Sequence, residues 1–276
     1  MINFPNAKIN IGLNVLEKRA DGYHTIESIF YPINYCDALE ATIIEGSGEF
    51  KLTIHGTPVP GSIETNLCVN AYNLLNAKYT LPSLNAGLLK CIPMGAGLGG
   101  GSADAAFFIK LINDLCKLNL STEELKLYAS QIGSDCTFFI ENKPALVTGI
   151  GDVITPIPLD LSKYYISIVY PEIHVDTKNA YSLITPGKKL HSLQETMLKA
   201  PINEWRKLIV NDFEEPIFKT HPQLAEIKKT LYTEGAIYAS MTGSGSALYA
   251  IFEKKPTLTN ALPHYKIWTN PPHKAI

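Results

Sequence analysis

The chain is poor in the features that would take it out of the ordinary class of folded proteins. Its five cysteines (Cys36, Cys68, Cys91, Cys116, Cys136) are odd in number and show no C-x-x-C spacing. A disulfide framework and a zinc site are therefore excluded as expectations; reduced, mostly buried thiols are expected and no metal ligand is assigned. No stretch approaches the ~20 consecutive apolar residues of a membrane span. Met1-Ile2-Asn3-Phe4-Pro5 lacks the charged and then apolar regions of a secretion signal, so a cytoplasmic protein is expected. Basic residues are not in excess: 24 Lys and Arg stand against 26 Asp and Glu, for a net charge of -2. No field is available to gather nucleic acid or anionic membrane, and any anion must be held by a local site. Internal repeats and low-complexity segments are absent too.

What is there suits a soluble globular protein. The 276 residues, 46% hydrophobic and 18% charged, can bury a substantial core in one large or two modest domains. Ala7–Leu16 alternates as a strand, with Ile9, Ile11, Leu13 and Val15 on one face and Lys8, Asn10, Gly12 and Asn14 on the other. Further strands are expected over Thr25–Asn34, Ala38–Ile44, Phe50–His55, Ala86–Cys91, Phe138–Ile140, Ala145–Thr148, Tyr164–Tyr170, Ala236–Met241, Ala247–Glu253 and Tyr265–Thr269. Helices are expected from Asn66 to Lys78, across Phe107–Lys117, from a Ser121 capping box to Gln131, and over Thr177–Leu183, Ser192–Lys199, Ile202–Val210 and Pro222–Glu234. Prolines break the pattern at Pro156–Asp160. The expectation is an α+β protein of two lobes, residues 1–155 and 156–276, with a cleft between them.

Pro93-Met94-Gly95-Ala96-Gly97-Leu98-Gly99-Gly100-Gly101-Ser102 is the most telling segment, with five glycines in seven positions leading into an apolar helix. Glycine tolerates positive φ and close approach of the backbone, and a helix start carries unpaired N–H groups and partial positive charge. Together they make a cradle for nucleotide phosphates. It is not a Walker A loop, because no Gly-Lys-Ser/Thr follows. Gly95, Gly97 and Gly100 fit G-x-G-x-x-G, but the acid at Rossmann distance, Asp114, falls inside the helix, so a dinucleotide site fails on context. A glycine-rich turn that merely lets a helix pack is the competing explanation.

Four smaller features accompany it. Lys8 and Asn10 share a strand face, where they can orient a hydroxyl or neutralise phosphate; the same spacing suits a solvated sheet face equally well. Asp21-Gly22 marks a turn that presents Tyr23 and His24, either as a base-stacking pair or as a locally satisfied histidine. Asp135, at a glycine-flanked turn, is either a reactive carboxylate or a turn former. Gly243-Ser244-Gly245-Ser246 is a hairpin turn or a second phosphate nest; with Met at 241 it is not G-x-S-x-G.

These pieces stand in the order seen in one family. The chain resembles the GHMP kinases in Ala7-Lys8-Ile9-Asn10-Ile11, Arg19-Ala20-Asp21-Gly22-Tyr23-His24, Pro93–Ser102, Gly133-Ser134-Asp135 and Thr242-Gly243-Ser244-Gly245, from Pro5 to about Phe252. The resemblance implies a two-lobed fold, with an N-terminal nucleotide-binding lobe, a C-terminal α/β sandwich lobe and the active site in the cleft. It implies a kinase using ATP and Mg²⁺ on the 2-hydroxyl of a cytidyl-diphosphate-linked methylerythritol, in non-mevalonate isoprenoid synthesis, acting as a monomer or homodimer. Asp135 would be the catalytic base and Lys8 would orient the hydroxyl, with Asn10 holding substrate. His24 would read the cytosine edge, Tyr23 would shape that pocket, and Tyr181 would lie against the base. Pro93, Gly95, Gly97, Leu98, Gly99, Gly100, Gly101 and Ser102 would hold ATP, with Asn66 and Lys90 near its nucleoside. Gly243 and Gly245 would approach the substrate or transferring phosphates. A GHMP kinase for a homoserine- or mevalonate-type alcohol and a silent GHMP-fold ligand sensor are the alternatives. Thr137 stands where the family commonly has proline, and Asp104 where relatives often have Ser or Asn.

Overall fold

A computed structural model describes residues 1–187, 189 and 192–271. It forms two compact units that interleave along the chain: Met1–Ala7, Asn34–Met94 and Gly99–Lys143 make the first, and Lys8–Ile33, Gly95–Leu98 and the chain from Pro144 onward make the second.

The first unit is built on one sheet, formed by β1 (Ile2–Asn3), β4 (Ala38–Ser47), β5 (Phe50–Gly56) and β6 (Pro82–Lys90) in the order β1-β4-β6-β5. β4 and β6 pair antiparallel from Ala38↔Leu89 inward, whereas β5 runs parallel to β6 from Phe50↔Leu84. A parallel pair needs a crossover, and α1 (Leu67–Tyr79) supplies it. α2 (Gly100–Leu115), α3 (Thr122–Ile132) and α4 (Ser134–Glu141) follow. Phe50 joins the layers, stacking on Tyr72 of α1 at 4.7 Å and meeting Phe108 of α2 at 5.1 Å. The Ser121 capping box forms as its S-x-x-E spacing predicts: the serine Oγ accepts the Glu124 N–H, and the glutamate accepts the Ser121 N–H. Ser121→Ala is expected to lower unfolding free energy by about 1 kcal/mol, read as a lower urea midpoint at constant m.

The second unit carries two sheets. β2 (Asn6–Lys18), β3 (His24–Cys36), β7 (Ala145–Thr148) and β8 (Val153–Pro156) form one, in the order β2-β3-β7-β8. β9 (Tyr165–Tyr170), β10 (Tyr238–Met241), β11 (Leu248–Phe252) and β12 (Lys266–Asn270) form the other, antiparallel throughout, in the order β10-β11-β9-β12. Its helices are α5 (Thr177–Ser182), α6 (Leu193–Lys199), α7 (Trp205–Leu208), α8 (Glu214–Thr220) and α9 (Pro222–Thr233). Leu13, Val15 and Ile26 from the first of these sheets share a core with Val169, Ala239, Leu248 and Ala250 from the second. Ile217 of α8 and Leu224, Ile227 and Leu231 of α9 join the same core. The architecture is α+β. No helix among the described residues is long and apolar enough to cross a membrane.

Two expectations need correction, and one helix was not expected at all. Phe138–Ile140 is not a strand but the buried second half of α4, which opens after Gly133 and ends at Asn142 in the left-handed region. Three apolar residues in a row do not separate a strand from a buried helix, and here helical packing decides. Ile202–Val210 is not one helix; it splits into a single 3-10 turn at Ile202–Glu204 and the four-residue α7. α8 stands in no expectation; its Pro216 lies in the first turn, where a missing N–H costs nothing.

Candidate active site

The alternation of β2 is real, but its polar face is not solvated. Lys8 is 3% exposed, Asn10 1% and Asn14 5%, so both sides of the strand are covered. A buried ammonium is tolerated only when it is paired and hydrogen-bonded. Lys8 Nζ donates to Asn10 Oδ1 at 2.7 Å and to the Gly97 carbonyl at 3.2 Å, and lies 4.5 Å from the centre of the Phe30 ring. Asn10 in turn accepts from Thr242 Oγ1 at 3.1 Å and donates to Ser28 Oγ at 2.9 Å. Period-two spacing therefore sets lysine and amide side by side, and the amide fixes the direction of the ammonium.

Two glycine segments meet at that point. Thr242 Oγ1 donates to the Gly97 carbonyl at 3.0 Å, and the Ala247 N–H donates to the Ala96 carbonyl at 3.2 Å. Gly97 has φ +79°, and a Cβ on it would stand 2.0 Å from the Thr242 carbonyl oxygen. A Cβ on Gly243 would come within 3.1 Å of the Gly97 Cα. The segment 242–247 is a hairpin turn, since β10 and β11 pair from Met241↔Leu248 and the Thr242 N–H donates to the Ala247 carbonyl at 3.0 Å. Asn211 Nδ2 secures the turn through the carbonyls of Met241 and Gly243, both at 2.8 Å. Neither Thr242 nor Asn211 stood out as a site residue in the sequence. Thr242 at least lies within the glycine-rich segment, whereas Asn211, between Val210 and Asp212, carries no signal.

Elsewhere in the second unit the Asp21-Gly22 turn forms as its chemistry predicts. Asp21 accepts from Arg19 Nε at 2.9 Å and from the Tyr23 N–H at 3.0 Å, and Gly22 takes φ +87°. Tyr23 is 61% exposed at its tip. His24, at the start of β3, stacks on Tyr181 of α5 with centroids 4.8 Å apart and planes 20° from parallel. Phe213 backs Tyr181 edge-on at 4.9 Å. Burial, helped by the Lys18 charge, holds the imidazole below its usual range, so it is neutral at pH 7.

The remaining residues belong to the first unit. Asn66 caps α1, its Oδ1 accepting the Cys68 N–H at 2.9 Å, and it lines a cavity of about 290 Å³ with His55, Gly56, Thr57, Val59 and Ile63. The Lys90 backbone borders these residues, its carbonyl accepting the Thr57 N–H at 2.9 Å. The Lys90 ammonium, however, turns into the interior, held by Asp37 and Asp104. Gly99 caps α2 at φ 72° without a side chain to fill the helix start. The first N–H groups of α2, on Gly100, Gly101 and Ser102, therefore have no partner within the helix. Asp135 sits in the first turn of α4, where the helix dipole favours a carboxylate.

A glycine cradle at a helix start, a buried lysine and a carboxylate are the parts a phosphoryl-transfer enzyme uses. The family model described as GHMP kinases N terminal domain matches residues 66–143, and GHMP kinases C terminal matches residues 193–264. The chain belongs to the GHMP kinases and is a small-molecule kinase whose family uses ATP. Within that family its relatives are specific. A 4-diphosphocytidyl-2-C-methyl-D-erythritol kinase from Parabacteroides distasonis is 51% identical over 92% of both chains. One from Bacteroides thetaiotaomicron is 48% identical over 94% of both. A crystal structure of 4-(cytidine 5'-diphospho)-2C-methyl-D-erythritol kinase superposes with a TM-score of 0.81 at 27% identity, covering 98% of each chain. The mevalonate kinase of Methanococcus jannaschii shares the fold, with a TM-score of 0.74 at 16% identity over 99% of this chain and 98% of its own.

Proposed function

We propose that this chain transfers the γ-phosphoryl group of ATP to the 2-hydroxyl of 4-(cytidine 5'-diphospho)-2-C-methyl-D-erythritol, in the cytoplasm. The observation that carries the choice of acceptor is the His24–Tyr181 stack. Two flat, uncharged rings at one spot suit a pyrimidine, and the bare alcohols of homoserine or mevalonate kinases have no base for them to meet. The names of the relatives point the same way.

In this reading the positive-φ glycines Gly95, Gly97 and Gly99, followed by the start of α2 at Gly100, Gly101 and Ser102, receive the ATP phosphates on backbone N–H groups. Pro93 leads the chain into that loop and Leu98 anchors it, its carbonyl accepting the Lys8 N–H at 2.9 Å. The cavity at Asn66, bordered by the Lys90 backbone, takes the nucleoside. Gly243 and Gly245 bring a second stretch of bare backbone toward phosphate. Mg²⁺ would neutralise phosphate charge, carried mainly on phosphate oxygens and water, as this ion prefers; among the described residues no group of three or more acidic, histidine or cysteine side chains is placed to cage it. Asp135 accepts the hydroxyl proton late in the transfer, and Lys8, aimed by Asn10, steadies the oxygen as charge develops. His24 and Tyr23 frame the cytosine, with Tyr181 against its face.

An ADP-release assay over a panel of the cytidyl diphosphate substrate, homoserine and mevalonate tests the reading. Turnover confined to the first supports it; turnover on a bare alcohol, or ATP binding with no ADP from any acceptor, replaces it. His24→Ala is expected to raise KM for the cytidyl substrate by about 10-fold, the worth of one base stack, with KM for ATP unchanged. Because the folded-state pKa of His24 is lowered, the neutral ring persists until pH falls through that value, and KM should rise only on the acid side.

A further inference from the structure

The first unit holds a buried charge cluster that the roles above do not use. Lys90 Nζ donates to Asp37 Oδ2 and, at 2.7 Å, to Asp104 Oδ2; the lysine and Asp37 side chains are fully buried and Asp104 nearly so. Asp37 reaches further. Its Oδ1 accepts the N–H groups of Cys91 at 2.5 Å and of Ile92 at 2.8 Å, the two residues that lead into the glycine loop. Asp104 lies one turn into α2, the helix that leaves the loop. One ammonium thus ties the incoming backbone to the outgoing helix. It also lies beneath the helix start, where a Cβ on Gly100 would stand 3.3 Å from Nζ and 3.0 Å from Ile92 Cγ2.

The arrangement is one-sided in charge. Two carboxylates face one cation, and Asp104 Oδ1, although buried, has no hydrogen-bond partner. We propose that Asp37 and Asp104, acting through Lys90, are positioning residues for the ATP-binding loop, and that the loop receives phosphate best when Asp104 carries a proton. With Asp104 ionised, an unbalanced negative charge lies in a low-dielectric interior beside a helix start that must accept phosphates. A proton on the carboxyl removes that charge while the tether to Lys90 stays. Desolvation lifts the Asp104 carboxyl to about 8, Asp37 adds to the lift and Lys90 opposes it. Other ionisable groups that interact with the cluster are Cys68 of α1, with Cys136 of α4 beside it, and Tyr35 and Cys36, which both face Asp37; burial pushes all four up, so they stay neutral where Asp104 titrates. Lys90 itself, pulled down by burial but more than compensated by its two carboxylates, stays charged.

The inference rests on the reading of the glycine loop as the ATP phosphate site, and the test separates the two. KM for ATP and for the alcohol, and binding of ATP alone, are measured on the full chain on both sides of about pH 8. For the wild-type protein KM for ATP should rise on the alkaline side, with KM for the alcohol flat. Asp104→Asn, a neutral side chain of the same shape, should keep the near-neutral KM and lose the alkaline rise. Asp104→Ala, which cuts the tether, should raise KM for ATP by about 10-fold at every pH, the scale of a small misplacement at a binding loop, and leave KM for the alcohol unchanged. A purely structural aspartate would lower the melting temperature without this split. An alkaline rise retained in Asp104→Asn overturns the proposal, whether or not Asp104→Ala folds. Failure of the wild-type chain to bind ATP overturns the loop reading instead.

Discussion

Asp135→Asn should leave a folded protein with kcat lower by about 10²–10⁴-fold, the usual worth of a positioned general base. The carboxylate sits in the first turn of α4, and that helix is anchored by Phe138, Phe139 and Ile140, all buried. Those anchored side chains hold the first turn of α4, and with it the Asp135 backbone, in place. Asparagine keeps the size and loses only the ability to take a proton. The change therefore falls on kcat, while KM for ATP and for the alcohol stays near the wild-type value, because neither substrate needs Asp135 as a base in order to bind. Steady-state ADP release with saturating substrates measures it, and an unchanged urea midpoint shows that folding is intact. Wild-type kcat in the variant would remove Asp135 from the chemistry and leave charge balance by Lys8 and the loop to carry the reaction, as loose phosphoryl-transfer transition states allow.

How much of this was legible in advance depends on the kind of signal. Strand β2 was readable from alternation alone, and so was the sharing of one face by Lys8 and Asn10. Alternation does not tell whether the polar face is covered, because that depends on chain far away in sequence; here Thr242 and the Gly97 carbonyl close over it. The Asp21-Gly22 turn and the Ser121 cap are local chemistry, and each formed where its residues stood. Phe138–Ile140 failed for want of length, since three apolar residues fit either period. Asp37 looks like a residue between two strands, and nothing near it in sequence announces Lys90 or Asp104; the pairing of β4 with β6 brings it to Lys90, and the packing of α2 on β4 adds Asp104. Asn211 is silent for the same reason. His24 stands out by the turn before it and Tyr181 only through the family resemblance, from separate segments, and it is the fold that stacks them. Residues whose role is set by neighbours in sequence can be read from sequence, and those whose role is set by topology need coordinates.

Gly97→Ala should be the most damaging of the single-methyl substitutions, lowering kcat/KM for ATP by at least about 10²-fold, as misplacement by an ångström does at a catalytic loop. Two separate costs coincide at this residue. Its φ of +79° is one that a side chain rarely adopts. The added methyl would also stand 2.0 Å from the Thr242 carbonyl oxygen and 2.8 Å from its carbon, both of them backbone atoms that cannot rotate aside. The two glycine segments must therefore separate. The Gly97 carbonyl moves with them, and it accepts from both Lys8 Nζ and Thr242 Oγ1. One methyl thus disturbs the loop, the turn and the aim of the ammonium together. Gly187→Ala is the matched control: nothing lies within 4 Å of the new methyl and the backbone needs no positive φ, so stability and turnover should stay at wild-type levels. Turnover and ATP binding are compared for both variants, with circular dichroism to confirm folding. If folded Gly97→Ala uses ATP as well as the control does, the close approach of the two glycine segments is irrelevant to nucleotide binding, and the phosphates must be seated elsewhere.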